Sequence, residues 1–309
     1  MAGKSGQPVL MLELEAGEYR LVLDPERGGS VARFDWRGEA LMRPTCGPSI
    51  VDTACFPLVP FSNRIAHGRF AASGRQVGIA PNMPDSDHPH PLHGFGWLTE
   101  WQVVSQDACS AALEHVYPGG EWPWPYRAVQ SFSLRPAGLT MTLALQNLAE
   151  SPMPAGLGFH PYFLRAPGTL YRGLHRGEWQ NSDDCLPLAL EEKAHPADWW
   201  DGQAIGSRAV DTVYTGREGG LRIEWPRRGI ALAIEPSENL GFTVVFTPPG
   251  AEYFCVEPVS HMTDAVNSSR GDSGLAWLEP SASMIAHMTL RAEEIDGGTK
   301  NQMNAAPAL

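Results

Sequence analysis

Apolar and polar residues alternate with a period of two in five short runs: Leu10–Leu14, Tyr19–Leu23, Leu139–Leu145, Leu221–Trp225 and Ile285–Leu290. Successive side chains of an extended chain point to opposite faces, so this alternation predicts strands with one face buried. Turn-forming clusters separate the runs, among them Pro25 to Gly29, Pro118-Gly119-Gly120 and Pro248-Pro249-Gly250. Their spacing is that of a many-stranded antiparallel sandwich or barrel. No long stretch carries an amphipathic helical stripe, and no Gly-x-Gly-x-x-Gly follows a strand, so a nucleotide-binding α/β fold and a dinucleotide cofactor are not expected. Gly74–Leu92 and Ala166–Gly206 lack clean alternation and read as long loops able to wall a site. From Gly297 the tail GGTKNQMNAAPAL has nothing to bury and is expected to be disordered, leaving residues 1–296 as one all-β domain.

Composition narrows the function. With 309 residues, 43% of them hydrophobic, the chain can bury a large core, and its 27 prolines and 32 glycines fit a turn-rich β protein. The 35 acidic residues outnumber the 23 basic ones, for a net charge of -12, which would repel a phosphate backbone and argues against a nucleic-acid partner. No apolar run approaches the roughly 20 residues that span a bilayer, and the N-terminal stretch has no apolar core followed by a small-residue cleavage site. A cytoplasmic protein without a membrane partner is therefore expected; the oligomeric state is open. Cys46, Cys55, Cys109, Cys185 and Cys255 are odd in number and scattered, with no Cys-x-x-Cys pair, and read as reduced structural thiols.

Candidate chemistry is concentrated in four segments where polar groups sit among aromatic and proline residues: FPLVPFSNRI from Phe56, HPHPLHGFGW from His88, GFHPYF from Gly158 and FCVEPVSHMTDAVN from Phe254. His160, between Phe159 and Pro161-Tyr162-Phe163, lies where an apolar wall could hold one imidazole rotamer and tune its proton affinity. A general acid and a core histidine satisfied by a carbonyl both fit. Glu257 ends an alternating run just before Pro258, which suits either a general base or a buried ion pair. His88, His90 and His93 are close enough in sequence to suggest zinc, but prolines interrupt them and no carboxylate or cysteine falls at a ligand spacing, so no metal is expected. Gly271-Asp272-Ser273-Gly274 is like the nucleophile loop of a serine protease, but the partner histidine segment is missing.

Taken in order, Asn63-Arg64-Ile65, His93-Gly94-Phe95, His160-Pro161-Tyr162-Phe163, and Glu257 followed by Thr263-Asp264-Ala265-x-Asn267 resemble the aldose 1-epimerase, or galactose mutarotase, family. The resemblance spans most of the chain. It implies a large antiparallel β-sandwich, the galactose mutarotase-like supersandwich, with a sugar in an open cleft. It also implies interconversion of the α and β anomers of a free aldose, without a cofactor. Glu257 matches the family's general base and His160 its general acid. Arg64 and His93 match its sugar-hydroxyl contacts, Asn63 a neighbouring pocket residue, and Asp211 in VDTVYTG its substrate-binding aspartate. Trp122 and Trp124 are candidates for an apolar face against the sugar ring, with structural packing the expected use of at least one of them. One departure is that Glu257 is followed by Pro-Val-Ser-His, with Thr263 where galactose mutarotases usually place a proline before the aspartate. Two alternatives share the fold: an epimerase of a hexose 6-phosphate, drawing on Arg69, Arg75, Arg165, Arg172 or Arg176 for a basic cluster, and a sugar-binding module without catalysis.

Overall fold

Alternation becomes burial wherever a strand has one face to the core. In the strand Gly138–Asn147, Leu139, Met141, Leu143 and Leu145 are buried while Thr140, Thr142, Ala144 and Gln146 are half-exposed. The hairpin of Leu12–Ala16 with Tyr19–Asp24 does the same with Leu12, Leu14, Leu21 and Leu23. Four of the five runs read from the sequence lie wholly in strands, and the run Leu10–Leu14 enters one at Leu12, its first residue lying outside the described residues. The structure, a computed structural model, describes residues 11–72, 74–84 and 86–296. The expected disordered tail lies outside the described residues.

Eighteen of the described strands form one continuous antiparallel ladder, and Arg69–Ala72 with Arg75–Gly78 and Met153–Ala155 with Ala276–Leu278 form two separate pairs. The ladder starts at the edge strand Gln102–Gln106 and runs through Ser110–Tyr117, Tyr126–Arg135, Gly138–Asn147, Ser283–Glu294, Ile230–Pro236 and Glu218–Trp225 to Leu170–Asn181. That last strand is shared. Its first half pairs with Glu218–Trp225, and Gly177 and Glu178 pair with Thr215 and Tyr214. From Asp211–Thr215 the ladder continues through Phe242–Phe246, Tyr253–Val259, Gly158–Leu164, Cys55–Leu58 and Ser30–Trp36 to the first hairpin. The ladder thereby doubles back on itself, and side chains of both halves meet in one hydrophobic cluster that holds Leu21, Phe34, Phe163 and Val256 beside Leu113, Phe132, Leu143 and Met288. Each fully buried side chain of this size contributes about 1.5–3 kcal/mol relative to exposure.

From Asp211–Thr215 to Cys55–Leu58 the ladder is covered on both faces. Phe159, Phe163, Phe254, Val256 and Val245 point into the shared core, and Phe56, Tyr162, Val213, Val244 and Cys255 build a second cluster on the opposite face. Strands buried on both sides lose the in–out alternation of hydrophobicity. For this reason the strand carrying GFHPYF gives no in–out period to read, although residues on both of its faces are buried.

The segment Ala166–Gly206 corrects the sequence reading: it contains two 12-residue strands, Leu170–Asn181 and Pro187–Asp198, paired with each other. In the first, the inward positions include Gly173, His175 and Gly177 rather than aliphatic residues. The second is an edge strand with no buried side chain, its residues exposed or half-exposed. Neither gives a hydrophobic period to read. Gly74–Leu92 holds only the short strand Arg75–Gly78, and its irregular remainder does wall the cavity described below. Among the described residues no helix is long and apolar enough to cross a membrane.

Candidate active site

Alternation along four neighbouring strands delivers the site. Tyr253, Cys255 and Glu257 share one face of Tyr253–Val259, His160 and Tyr162 one face of Gly158–Leu164, and Val244 and Phe246 one face of Phe242–Phe246. Asp211 opens the strand next to Phe246, its register partner. The residues between them go to the core. Loops carrying Asn63-Arg64 and His88 to His93 close the remaining sides of a cavity of about 260 Å³. This is near the lower end of small-molecule pockets, ~300 Å³.

At the cavity floor His160 Nε2 and Glu257 Oε1 stand 3.3 Å apart. His160 is 7% and Glu257 2% exposed. The other polar atom of each side chain, His160 Nδ1 and Glu257 Oε2, is buried without a hydrogen-bond partner among the described residues. Burial in apolar surroundings disfavours charge, so it pushes the imidazole down to about 3 and raises the carboxyl well above its ordinary value. Asp211 raises the carboxyl further, and Arg64 works the other way. The two groups must be treated as one unit holding one proton, and burial favours the neutral arrangement with the proton on Glu257.

Beside this pair lies a polar arm. Arg64 donates from Nη2 to Asp211 Oδ2 at 2.9 Å, from Nη1 to Asn63 Oδ1 at 3.0 Å and from Nε to His88 Nε2 at 3.1 Å. Since His88 Nε2 accepts, its proton sits on Nδ1, which donates to the His90 carbonyl at 3.0 Å. Burial lowers the proton affinity of His88, which keeps this neutral form. His93 Nδ1 accepts the Asn63 backbone N–H at 3.1 Å, and burial holds that imidazole neutral as well, so Nε2 carries its proton. The cavity thus offers neutral and cationic donors on one side and aromatic and aliphatic surface from Phe56, Val244, Phe246 and Tyr253 on the other.

The backbone that carries these groups is unusual. Asn63 and His93 have φ of 55° and 59°, a region costly for residues with a Cβ. Gly94, at φ 71°, lies so close to Val59 that an added Cβ would stand 2.1 Å from its carbonyl oxygen. The segment that follows Glu257 holds this shape. His261 Nε2 accepts the Ser62 N–H at 3.0 Å, the Asp264 N–H donates to the Arg64 carbonyl at 2.9 Å, and Asp264 Oδ1 accepts the Ala66 N–H at 2.9 Å. The Thr-Asp-Ala-x-Asn motif therefore acts on the site through the loop bearing Arg64.

All six residues singled out in the sequence (Asn63, Arg64, His93, His160, Asp211 and Glu257) line the one cavity. Trp122 and Trp124 do not: they are buried in the core against Phe70, and Trp122 also against Phe61. Each is followed by a proline and its indole ring turns inward, so neither can face a sugar. Arg69, Arg75, Arg165, Arg172 and Arg176 do not line the cavity either; Arg64 is the sole lysine or arginine that does among the described residues. His88, His90 and His93 do not converge, since His88 binds Arg64, His90 Nε2 sits 3.1 Å from Asp184 and His93 binds Asn63. The part played by His88 in holding Arg64 was not read from the sequence, where its neighbours made it look like a metal ligand. Nor was Trp97, which is buried and lines the cavity. The one group of three donors among the described residues that could hold an ion is His160, Cys255 and Glu257, within 4.8 Å of one another. Burial keeps protons on both Cys255 and Glu257, which an ion would have to displace.

The family model for aldose 1-epimerase matches residues 11–291. The chain is 33% identical over 283 residues to YphB, an uncharacterized protein of Escherichia coli (strain K12), covering 88% of this chain and 96% of that one. A crystal structure of a proposed aldose 1-epimerase from Escherichia coli K12 superposes with a TM-score of 0.85 at 31% identity, over 93% of this chain and 99% of the other. A galactose mutarotase-like protein of Clostridium acetobutylicum shares the fold, with a TM-score of 0.79 at 20% identity over 92% of this chain and 95% of its own. The model match and the extent of these likenesses, together with the site geometry, place the chain in the aldose 1-epimerase family.

Proposed function

We propose that this protein, working as one domain of residues 1–296, is an aldose 1-epimerase that interconverts the anomers of a free, unphosphorylated monosaccharide. The observation that carries the proposal is the His160–Glu257 pair, 3.3 Å apart at the floor of a cavity whose side wall is hydrogen-bonding.

Opening a cyclic hemiacetal removes the proton of the anomeric hydroxyl and adds one to the ring oxygen. The resulting open-chain aldehyde rotates about the C1–C2 bond and closes on its other face, with the two proton transfers reversed. Glu257 is the base towards the hydroxyl and His160 the acid towards the ring oxygen. In these roles the pair's single proton must sit on His160 when sugar is bound. Its move from Glu257 leaves the net charge of the cavity unchanged, and the sugar hydroxyl donating to the carboxylate, with the ring oxygen accepting from the imidazolium, supplies partners that the buried groups otherwise lack. Each positioned acid or base contributes about 10²- to 10⁴-fold. Arg64, His93, Asn63 and Asp211 bind the remaining hydroxyls and fix the ring against the pair.

A free sugar is favoured over a phosphosugar by charge. Among the described residues the cavity's one guanidinium is already paired with Asp211, and Glu257 lies on the same floor, so a dianion would meet no uncommitted cation among them. A binding module would have no use for an acid and a base facing each other beneath the sugar. The test is polarimetric: freshly dissolved α-glucose, α-galactose and L-arabinose are followed with and without protein, beside glucose 6-phosphate. Acceleration of a free sugar supports the proposal. Preference for the phosphate, or sugar binding without acceleration, overturns it.

A further inference from the structure

Among the described residues the His160 imidazole has no hydrogen bond at Nδ1 to orient it, so another force must fix its plane. That force is packing against two rings. The Phe56 ring lies 4.4 Å and the Tyr162 ring 4.7 Å from His160, each at 28° to its plane, and the two rings are 6.1 Å from each other, so they form a corner that holds the imidazole. Trp97 backs Phe56 at 5.2 Å. The Arg43 guanidinium lies on the Tyr162 ring, 4.1 Å from its centroid, and 4.6 Å from that of Tyr253. Arg43 is bonded in place from Nη2 to the carbonyls of Val51 and Thr53, at 2.6 and 2.9 Å, and its backbone N–H donates to the Tyr162 carbonyl at 2.8 Å. It makes no ion pair with any described carboxylate, its Nε is buried without a partner, and it does not line the cavity.

We propose that Arg43 is a positioning residue of the epimerase reaction: its guanidinium braces the Tyr162 ring that, with Phe56, holds the His160 ring toward Glu257, and its unpaired charge sets how readily the pair takes up a proton. The inference rests on the acid–base reading of that pair. An arginine suits the place because a planar, weakly hydrated cation lies flat on a ring, which an ammonium does less well. Its charge, one ring removed from the imidazole, opposes an imidazolium and supports a carboxylate. The other titratable groups around His160 are Glu257 on the adjacent strand, His93 at 5.1 Å between ring centroids from the facing loop, Tyr162 on its own strand, Cys55 and Cys255 on the two flanking strands, and Arg64 and Asp211 at the cavity wall. Arg64 is the cation committed to Asp211, so Arg43 is the one whose charge is not offset by an ion pair.

The test compares the native protein with Arg43→Met and Arg43→Lys. Arg43→Met removes the charge and keeps much of the bulk. It is expected to lower kcat about 10- to 100-fold with KM within about twofold, and to move both limbs of the pH–kcat profile upward by about half to one unit, as loss of a nearby cation requires. Arg43→Lys should return the limbs to their native pH while recovering kcat only in part. The proton NMR titration of the His160 ring, assigned with His160→Asn, reads the same shift without catalysis. If the native protein turns over no sugar but the titration moves in Arg43→Met, the functional reading fails and the electrostatic coupling stands. Limbs and titration unmoved in Arg43→Met, or equally displaced in Arg43→Lys, would reduce Arg43 to a packing residue and overturn the proposal.

Discussion

Arg64 and Asp211, 147 positions apart in sequence, are joined by a 2.9 Å hydrogen-bonded ion pair across the cavity mouth. Arg64 comes from a loop with backbone in a costly conformation and Asp211 from the first position of a strand, and each is held by a third residue: His88 on the guanidinium, and Asn181 on the Asp211 carbonyl at 2.6 Å. The pair is thus the point where the irregular wall of the site is tied to the sheet. Removing the charge with Asp211→Asn should lower kcat/KM for the preferred sugar about 10- to 100-fold, the scale of one charge-assisted hydrogen bond, with KM carrying much of the loss. Kinetics with the native level of activity would show that Asp211 does not bind substrate.

The loop that bears Arg64 depends on the motif after Glu257. Asp264, itself at φ 55°, accepts from the Ala66 N–H and from Asn267 Nδ2 at 2.8 Å. Asp264→Ala loses these bonds and places alanine in the left-handed region, a combined cost of about 2–4 kcal/mol, whereas Asp264→Asn keeps an acceptor and tolerates the conformation. Urea denaturation of the two variants should separate them by most of that difference, and Asp264→Ala should also raise KM. Equal stability of the two would contradict this account of the motif.

Buried histidines make the fold sensitive to acid. Burial pushes His175 down to about 3 and His261 to about 4, against about 6.5 in an unfolded chain. Between those values the unfolded chain holds protons that the folded chain does not, so stability rises with pH and is lost as pH falls below about 6.5. Each such group contributes a slope of up to about 1.4 kcal/mol per pH unit. His175, which faces Thr243 Oγ1 at 3.1 Å and not the cavity, is the cleaner probe. The unfolding free energy of His175→Gln between pH 5 and 6.5 should be flatter than that of the native protein by about one proton; an unchanged slope would rule this out.

Trp122 packs in the core between Phe61, Phe70 and Trp124. Trp122→Ala should therefore cost about 3–5 kcal/mol of stability, read by denaturation, while the protein that remains folded keeps its native KM. A raised KM at native stability would return Trp122 to the sugar.

Much of this was legible in the sequence, for identifiable reasons. Strands with one solvent face, such as Gly138–Asn147, declare themselves by alternation, and the six site residues stand in short motifs whose order and spacing resemble one family. The hairpin within Ala166–Gly206 was hidden because its inward positions include glycine and histidine and its edge strand buries no side chain. Arg43 escaped because nothing in Leu-Met-Arg-Pro-Thr marks it; its meaning appears only when Tyr162, brought beside it by a backbone hydrogen bond, shows which ring it covers. Trp122 and Trp124 misled because an aromatic pair between prolines has the same composition whether it lines a cleft or fills a core.

The central claim is that Glu257 and His160 move protons between themselves and a sugar. Glu257→Gln keeps the size of the side chain and a hydrogen-bonding group at the cavity floor but cannot accept a proton. The most direct measurement is the polarimetric decay of the sugar that the native protein accelerates best, repeated with Glu257→Gln at a concentration where calorimetry shows the sugar still bound. The account predicts a rate within a few per cent of the spontaneous one despite binding; acceleration close to native would contradict it.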